Sequence, residues 1–431
     1  MYDLVIIGAG WAGFNAAQTA KKYGLRVCLI EKGQIGGTCL NLGCIPTKAL
    51  IQSAKIYALT NKSSTFGIEV QTPKINFIKV QERKERLIQQ LRSGLQLMLK
   101  GIEFFNNQAE IISCNEVRVG EKIVKTKFIL IAAGSKPLEL PQLKFDGKKI
   151  ISSDDMLNLK EIPASLLIIG GGVIGCEFAS LFSIFGTQVS IIEKMPQLLP
   201  GEDNEIAKKL EIVFKKRGVK VNTNTEVTPE YLKEHELALL SVGRMPNTQS
   251  LNLDKIGLKL EKNSIAVDEY LKTNLHNIYA AGDCTGKTML AHFASHQGRF
   301  AAENIASSNL KNLKNNVIPN CIFTDPEIAS VGLNEESARN KGINIKIYKF
   351  DFLGSGMARI LEETEGFIKI ISSKETEQVI GASIIGPRAT ELIGILTLAV
   401  SNKLKVTQIR DTILAHPTLS ESITDALNYG I

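Results

Sequence analysis

Leu4-Val5-Ile6-Ile7-Gly8-Ala9-Gly10-Trp11-Ala12-Gly13 decides how the chain begins to fold. Four apolar residues in a row fit a strand buried on both faces of a parallel sheet. The glycines then permit a tight turn and the close approach of a pyrophosphate to a helix N-terminus. A helix is expected from residue 12 to about 23, stopped by Gly24, and a second strand over 26–30 ends at Glu31. That acid lies 18 residues after Gly13, where it can accept hydrogen bonds from ribose hydroxyls. Trp11, the only tryptophan, sits inside the loop.

Leu166-Leu167-Ile168-Ile169-Gly170-Gly171-Gly172-Val173-Ile174-Gly175 repeats the pattern. A helix to about residue 185, a stop at Gly186 and a strand over 188–192 lead to Glu193. Gly8 to Glu31 and Gly170 to Glu193 both span 23 positions, so the chain carries two dinucleotide-binding units. A carboxylate at Glu193 suits a free 2′-hydroxyl and repels a 2′-phosphate, which favours NAD over NADP; Lys194 beside it works the other way.

At 431 residues the chain is too long for one ordinary core, and two to four domains are expected. With 44% hydrophobic and 22% charged residues it reads as globular and soluble. No apolar run approaches the ~18 residues of a membrane span, and no signal peptide is visible. The net charge is +7, and the basic groups Lys208-Lys209 and Lys215-Lys216-Arg217 fall at helical spacing among acids and apolar residues. A solvated helix face is the expectation, not nucleic-acid binding. Seven cysteines, five without a close partner, fit a reducing, cytoplasmic compartment with one special pair, and no Cys/His spacing suggests a metal.

The special pair is Cys39 and Cys44, within Gly36-Gly37-Thr38-Cys39-Leu40-Asn41-Leu42-Gly43-Cys44-Ile45-Pro46-Thr47-Lys48. A regular helix would turn the two side chains about 140° apart, and a disulfide needs Cα atoms within roughly 7 Å. Bonding is possible if Asn41-Leu42-Gly43 form a turn into a helix over 45–59, with Pro46 in its first turn. Cys44 would then lie at the helix N-terminus, where the dipole favours thiolate by about 0.3–1 kcal/mol. A structural bridge, or two buried thiols, is the other reading of these residues alone.

Elsewhere, residues 77–99 read as an amphipathic helix with Leu87, Leu91, Leu95 and Met98 on one stripe. Residues 103–128 suggest an antiparallel excursion, and 128–135 a buried strand ending at Gly134. Residues 136–147 and 311–316 look like linkers. Ile278-Tyr279-Ala280-Ala281-Gly282-Asp283 is again strand, turn and acid, with a helix starting near Met289. From about Val317 strand-like runs at 321–324, 345–348, 367–371 and 379–385 and an apolar helix over 390–401 indicate an α+β domain. It ends in His416-Pro417-Thr418-Leu419-Ser420-Glu421 and a helix.

Together the 36–48 stretch, the two fingerprints, Gly243-Arg244-Met245-Pro246-Asn247, Gly282-Asp283, Met289-Leu290-Ala291-His292 and the 416–421 stretch resemble the flavoprotein disulfide reductases, nearest to their dihydrolipoamide dehydrogenase group. The resemblance implies an α/β fold with two Rossmann-like domains and a C-terminal α+β dimerisation domain. The expected divisions are 1–145 for FAD, 146–268 for NAD, 269–316 returning to the FAD domain, and 317–431 for dimerisation. It further implies a homodimer that oxidises dihydrolipoamide on the lipoyl domains of a 2-oxo-acid dehydrogenase complex and reduces NAD. FAD would be held by Gly8, Gly10, Gly13, Glu31, Gly37, Thr38, Lys48, Gly134, Asp283, Leu290 and Ala291. NAD would be held by Gly170, Gly172, Val173, Ile174, Gly175, Glu193 and Gly243. Cys39 would exchange with substrate and Cys44 would face the flavin as the charge-transfer thiolate. Lys48 would pair with Glu177, and His416, oriented by Glu421, would act as acid/base in the other subunit's site. His235, His276, His292 and His296 lack that Pro-and-acid setting; His292 is expected to pack near the flavin.

Three departures stand out. Leu414 occupies the place of a usual histidine and Ala133 that of a usual threonine. Only a short stretch separates Thr225 from Leu237, where family members insert an antiparallel excursion. The alternatives are an NADPH-dependent reductase of the glutathione type and a flavin-bearing interaction subunit with a degraded NAD site. A mercuric reductase fits less well, because Gly430-Ile431 is not preceded by a cysteine pair.

Overall fold

A computed structural model describes residues 1–307, 310–313 and 317–429. The end of the expected 269–316 return segment, with the last residues of the 311–316 linker, and the terminal Gly430-Ile431 lie outside the described residues.

The first sheet has seven strands. Its parallel body runs Glu103–Asn106, Val27–Glu31, Tyr2–Ile7, Lys122–Ile131 and Ile278–Ala280. Leu4 aligns with both Val27 and Phe128, so the apolar run of the fingerprint strand is buried on both faces. The antiparallel excursion is narrower than expected. Only Ala109–Ser113 and Glu116–Val119 join the first half of Lys122–Ile131 in that sense, while Glu103–Asn106 is a parallel edge strand. A short β-prone run does not encode its partner.

The second sheet is parallel throughout, in the order Lys220–Asn222, Gln188–Ile192, Ser165–Ile169, Leu237–Leu240, Ile150–Ile151. Between the first and fourth of these, in the short stretch from Thr225 to Leu237, the helix Pro229–Glu234 crosses. The 136–147 linker reading needs correcting at its start: Ser135–Pro137 pairs antiparallel with Arg244–Pro246, and this two-strand tie joins the two units.

The third sheet is antiparallel: Asn320–Ile322, Glu327–Gly332, Val379–Gly386, Phe367–Ser373, Ile345–Asp351. One apolar cluster joins Leu50, Ile51 and Ala54 of helix Cys44–Asn61 to Phe178 and Phe182 of helix Val173–Ile184 and to Ile328, Phe367 and Ile385 of this sheet. Each such phenylalanine removed from water contributes about 1.5–3 kcal/mol. The cysteine-bearing helix is therefore packed against both the second unit and the C-terminal sheet.

Helix Phe77–Met98 also needs a correction. Its buried residues are Phe77, Lys84, Ile88 and Leu95, whereas Leu91 and Met98 are exposed. Lys84 stays inside because its Nζ donates to the Leu157 carbonyl. Among the described residues no helix is long and apolar enough to cross a membrane.

Candidate active site

The fingerprint glycines divide by what a side chain would meet. A Cβ on Gly8 would stand 2.2 Å from the Ala132 carbonyl oxygen, and one on Gly13 1.8 Å from that of Gly8. Packing of strand against helix requires both. At Gly10 the nearest atom is Gly37 Cα at 3.8 Å, so this glycine leaves open space. The second unit repeats the division: Gly170 and Gly175 would collide with backbone at 2.6 and 2.1 Å, while Gly172 meets nothing within 4 Å. Helices Trp11–Lys22 and Val173–Ile184 start at Gly10 and Gly172 with no side-chain cap and no acid in the first turn. Their free N–H groups suit a phosphate, and a Cβ would fill the cradle. The residues present fit a dinucleotide in both units.

The two acids are held alike. Glu31 accepts from the Ala9 and Gly33 N–H groups at 2.7 Å each. Glu193 accepts from Gly171 at 2.6 Å and Met195 at 2.7 Å. Each carboxylate is fixed at the end of its strand with lone pairs left for a diol. Asp283 accepts from Ser135 Oγ at 2.6 Å, and Arg244 donates to Ser135 Oγ and to its carbonyl at 2.8 and 2.9 Å. Gln297 fixes the same turn by accepting from Gly282 N–H at 2.7 Å. The sequence reading assigned no role to Ser135, Arg244 or Gln297. Arg244 lay within a quoted motif, but the pairing of its strand with Ser135–Pro137 carried no local signal.

Cys39 lies in the one-turn helix Gly37–Asn41, and Cys44 is the first residue of helix Cys44–Asn61. The expected turn is thus shorter, Leu42-Gly43 alone, because Asn41 completes the first helix and its Nδ2 donates to the Gly37 carbonyl at 2.8 Å. Arg92 locks Asn41 by donating to its Oδ1 at 2.8 and 3.2 Å. The pair is present as thiols. The two thiols act on one another in opposite senses: Cys44 pushes the Cys39 thiol up, and Cys39 draws that of Cys44 down. For Cys44, burial opposes this drop and the Lys48 charge aids it. Lys48 Nζ meets both oxygens of Glu177 at 2.8 Å and lies 4.7 Å from the Phe323 ring centroid. Glu177 is buried and also accepts from Phe323 N–H at 2.9 Å.

One cavity of about 870 Å³ collects most of the expected residues. Gly8, Gly10, Glu31, Gly37, Thr38, Cys39, Cys44, Lys48, Gly134, Asp283, Leu290 and Ala291 line it, with Val173, Ile174 and Glu177 from the second unit. Gly13, Gly170, Gly172, Gly175, Glu193 and Gly243 lie outside its lining. So do His416 and Glu421, which form their own pair. His416 Nδ1 meets Glu421 Oε1 at 2.9 Å, Thr418 N–H donates to Oε2 at 2.8 Å, and the imidazole is 83% exposed. The Thr418 N–H, then His416, hold the Glu421 carboxyl below the usual carboxylate range. His292 Nε2 meets the Pro319 carbonyl at 2.9 Å. No metal-holding group of His, Cys, Asp or Glu occurs among the described residues.

Comparison with known proteins follows the same outline. Residues 2–298 match the family model described as pyridine nucleotide-disulphide oxidoreductase, and residues 318–427 match the dimerisation domain of that family. The dihydrolipoyl dehydrogenase of Chlamydia muridarum (strain MoPn / Nigg) is 41% identical over 441 residues, covering 97% of this chain and 95% of the relative. That of Bacillus subtilis (strain 168) is 38% identical over 459 residues, covering 99% and 97%. Among solved structures, the HOCl-induced flavoprotein disulfide reductase RclA from Escherichia coli superposes with a TM-score of 0.90 at 30% identity, covering 99% of this chain and 100% of that one. With both family models matched and similarity running the length of the fold, the chain belongs to the pyridine nucleotide-disulphide oxidoreductase family.

Proposed function

We propose that the chain is an FAD-dependent dihydrolipoyl dehydrogenase that works with NAD as a homodimer in the cytoplasm. The carrying observation is that one cavity is lined by the Gly10 cradle, the Cys39–Cys44 pair and the Lys48–Glu177 ion pair. Residues 1–145 with 269–316 would hold FAD, 146–268 NAD, and 317–431 the second subunit. When bound, FAD supplies two-electron transfer between the thiol pair and the nicotinamide. Gly10 and the helix N-terminus it opens would take the pyrophosphate, and Glu31 and Asp283 the hydroxyls.

The chain's own residues perform the thiol chemistry. A substrate thiolate attacks the Cys39 sulfur of the oxidised pair, and Cys44 leaves as a thiolate favoured by Lys48. His416 from the second copy takes the substrate's proton, with Glu421 fixing its tautomer. Exposure of His416 on its own chain supports a role across a subunit boundary. The NAD preference is supported by Glu193, and Lys194 is tied to Glu226 at 2.7 Å. Lipoyl domains of a 2-oxo-acid dehydrogenase complex are the proposed substrate carriers.

The test is anaerobic NAD reduction by dihydrolipoamide, wild type beside Cys44→Ser, repeated with NADP. Turnover with NAD and its loss in the variant are expected. No turnover with NAD in FAD-loaded protein, or a strong NADP preference, would reject the reading.

A further inference from the structure

Glu193 ends the second strand of the second unit, and Lys194 follows it directly. A basic side chain beside the ribose acid is what accommodates a 2′-phosphate in a dinucleotide site, so Lys194 has the charge to admit NADP. The fold engages that charge first. Residues 193–195 run beside residues 222–225, and three backbone bonds fasten them together. Glu193 N–H donates to the Asn222 carbonyl at 2.9 Å, Thr225 N–H to the Glu193 carbonyl at 3.0 Å, and Asn224 N–H to the Met195 carbonyl at 3.0 Å. Asn224 turns the chain at φ +51°, a conformation that asparagine accepts more readily than most residues. Beyond the turn Val227, Tyr231 and Leu232 pack on the cluster of the second sheet that contains Ile169 and Ile192.

Glu226 is therefore carried between two anchored points, and its carboxylate meets Lys194 Nζ at 2.7 Å. Each charge supports the other: Glu226 raises the Lys194 pKa, and Lys194 lowers that of Glu226. Glu193 does not compete for the lysine. It is buried, and its two oxygens accept from the Gly171 and Met195 N–H groups.

We propose that Glu226 is a specificity-determining residue of the second unit: it holds Lys194 in an ion pair and so withholds that charge from a 2′-phosphate. The inference rests on the reading of the second unit as the NAD site and adds a residue to it. Glu193 alone leaves the discrimination incomplete, because the lysine beside it would offset its charge. With Glu226 in place, two carboxylates and one ammonium stand at the strand end, and a 2′-phosphate meets a net negative charge. A free 2′-hydroxyl is neutral and is little affected by that balance. The pair is 77% and 74% exposed at its two side chains, so it contributes little to folding. Its removal is expected to change ligand choice and leave the fold intact.

The test is titration calorimetry of the oxidised, FAD-loaded protein with NAD and with NADP, in wild type, Glu226→Gln, Lys194→Met and the double variant. One charge about 4 Å from a phosphate in water is worth about fivefold in affinity. Glu226→Gln should therefore shift the ratio of NADP to NAD affinity about fivefold toward NADP. Lys194→Met should shift it by a similar factor the other way, and the double variant should return close to wild type. The ratio of kcat/KM for the two nucleotides with dihydrolipoamide should follow the same order. An unmoved ratio in Glu226→Gln of normal flavin content overturns the inference. So does a gain that persists in full without Lys194, since Glu226 would then act by itself and not through the lysine. Failure of the wild type to bind NAD would overturn the NAD reading and the inference with it. Normal NAD binding with a fixed ratio would overturn the inference alone.

Discussion

Lys48 and Glu177 should move the Cys44 thiol in opposite directions, although they form one ion pair. Cys44 and Lys48 are four positions apart on helix Cys44–Asn61, which puts their Cβ atoms about 5–6 Å apart. At an effective dielectric of about 20 a full charge at that distance is worth about 3 kcal/mol, or about two pKa units. The Lys48 side chain is 27% exposed and Glu177 offsets its charge, so about one unit should survive. Lys48→Met removes the lowering charge and leaves the raising one, since Glu177 acts against thiolate at Cys44. Both changes push the thiol up, and below its midpoint the thiolate fraction should fall about tenfold. Glu177→Gln keeps the shape, deletes the opposing charge and should push the thiol down. The assay is a pH titration of ultraviolet thiolate absorbance in the reduced protein, differenced against Cys44→Ser. Movement of both variants in the same direction, or no movement in Lys48→Met, would refute the electrostatic account.

Three further outcomes are expected. Lys369→Ala should lower stability by about 3–5 kcal/mol, because it strands the buried Asp203 carboxylate it meets at 3.0 Å and removes a partner from the half-buried Glu335 at 2.7 Å; an unchanged urea midpoint would contradict this. Gly172→Ala should fold normally yet bind NADH more weakly, whereas Gly175→Ala, with its Cβ 2.1 Å from the Gly170 oxygen, should unfold the second unit; circular dichroism and NADH titration separate the two. His416→Gln should slow dithiol oxidation by about 10²–10⁴-fold. The lowered Glu421 pKa keeps its carboxylate charged at neutral pH, and its hold on His416 is lost only as pH falls through that depressed value. Glu421→Gln should therefore alter the rate near neutrality, and an unchanged pH profile would count against the tie.

Local chemistry made the two units legible. A glycine that must avoid a carbonyl and an acid that must end a strand leave fixed spacings, so Gly8 to Glu31 and Gly170 to Glu193 could be matched by counting. Long-range pairing left no such mark. Nothing in residues 103–106 reveals that they align beside Val27–Glu31, and nothing in Ser135 shows that Arg244 will reach it. Lys369 shows this most simply. Phe367-Ile368-Lys369-Ile370-Ile371 reads as a strand, and every residue of Phe367–Ser373 is buried, the lysine included. The ammonium is 2% exposed because Asp203, Glu205 and Glu335, remote in sequence, surround it.

The repeat extends further than the glycine spacing, and its divergence assigns the two halves different work. After each acid the chain folds back onto its own fingerprint loop by the same backbone bond: Gly36 N–H to the Ala9 carbonyl at 2.9 Å, and Leu199 N–H to the Gly171 carbonyl at 2.8 Å. Both donors adopt positive φ, +95° and +49°. In the first unit this clamp is built of glycine, which allows contact with Gly10 and delivers the chain into the helix bearing Cys39. In the second it is built of the buried pair Leu198-Leu199 and delivers the chain to Glu202 and Asp203. Asp203 caps helix Asn204–Lys216 and holds Lys369, while Glu202 accepts from Asn320 at 2.6 Å. These bonds dock the strand Asn320–Ile322, whose continuation at Phe323 donates to Glu177. One copy of the clamp thus positions the thiols, and the other anchors the C-terminal sheet that orients the ion pair beside them. The scaffold is the same in both units, and glycine at one clamp against leucine at the other separates a reactive loop from a docking loop.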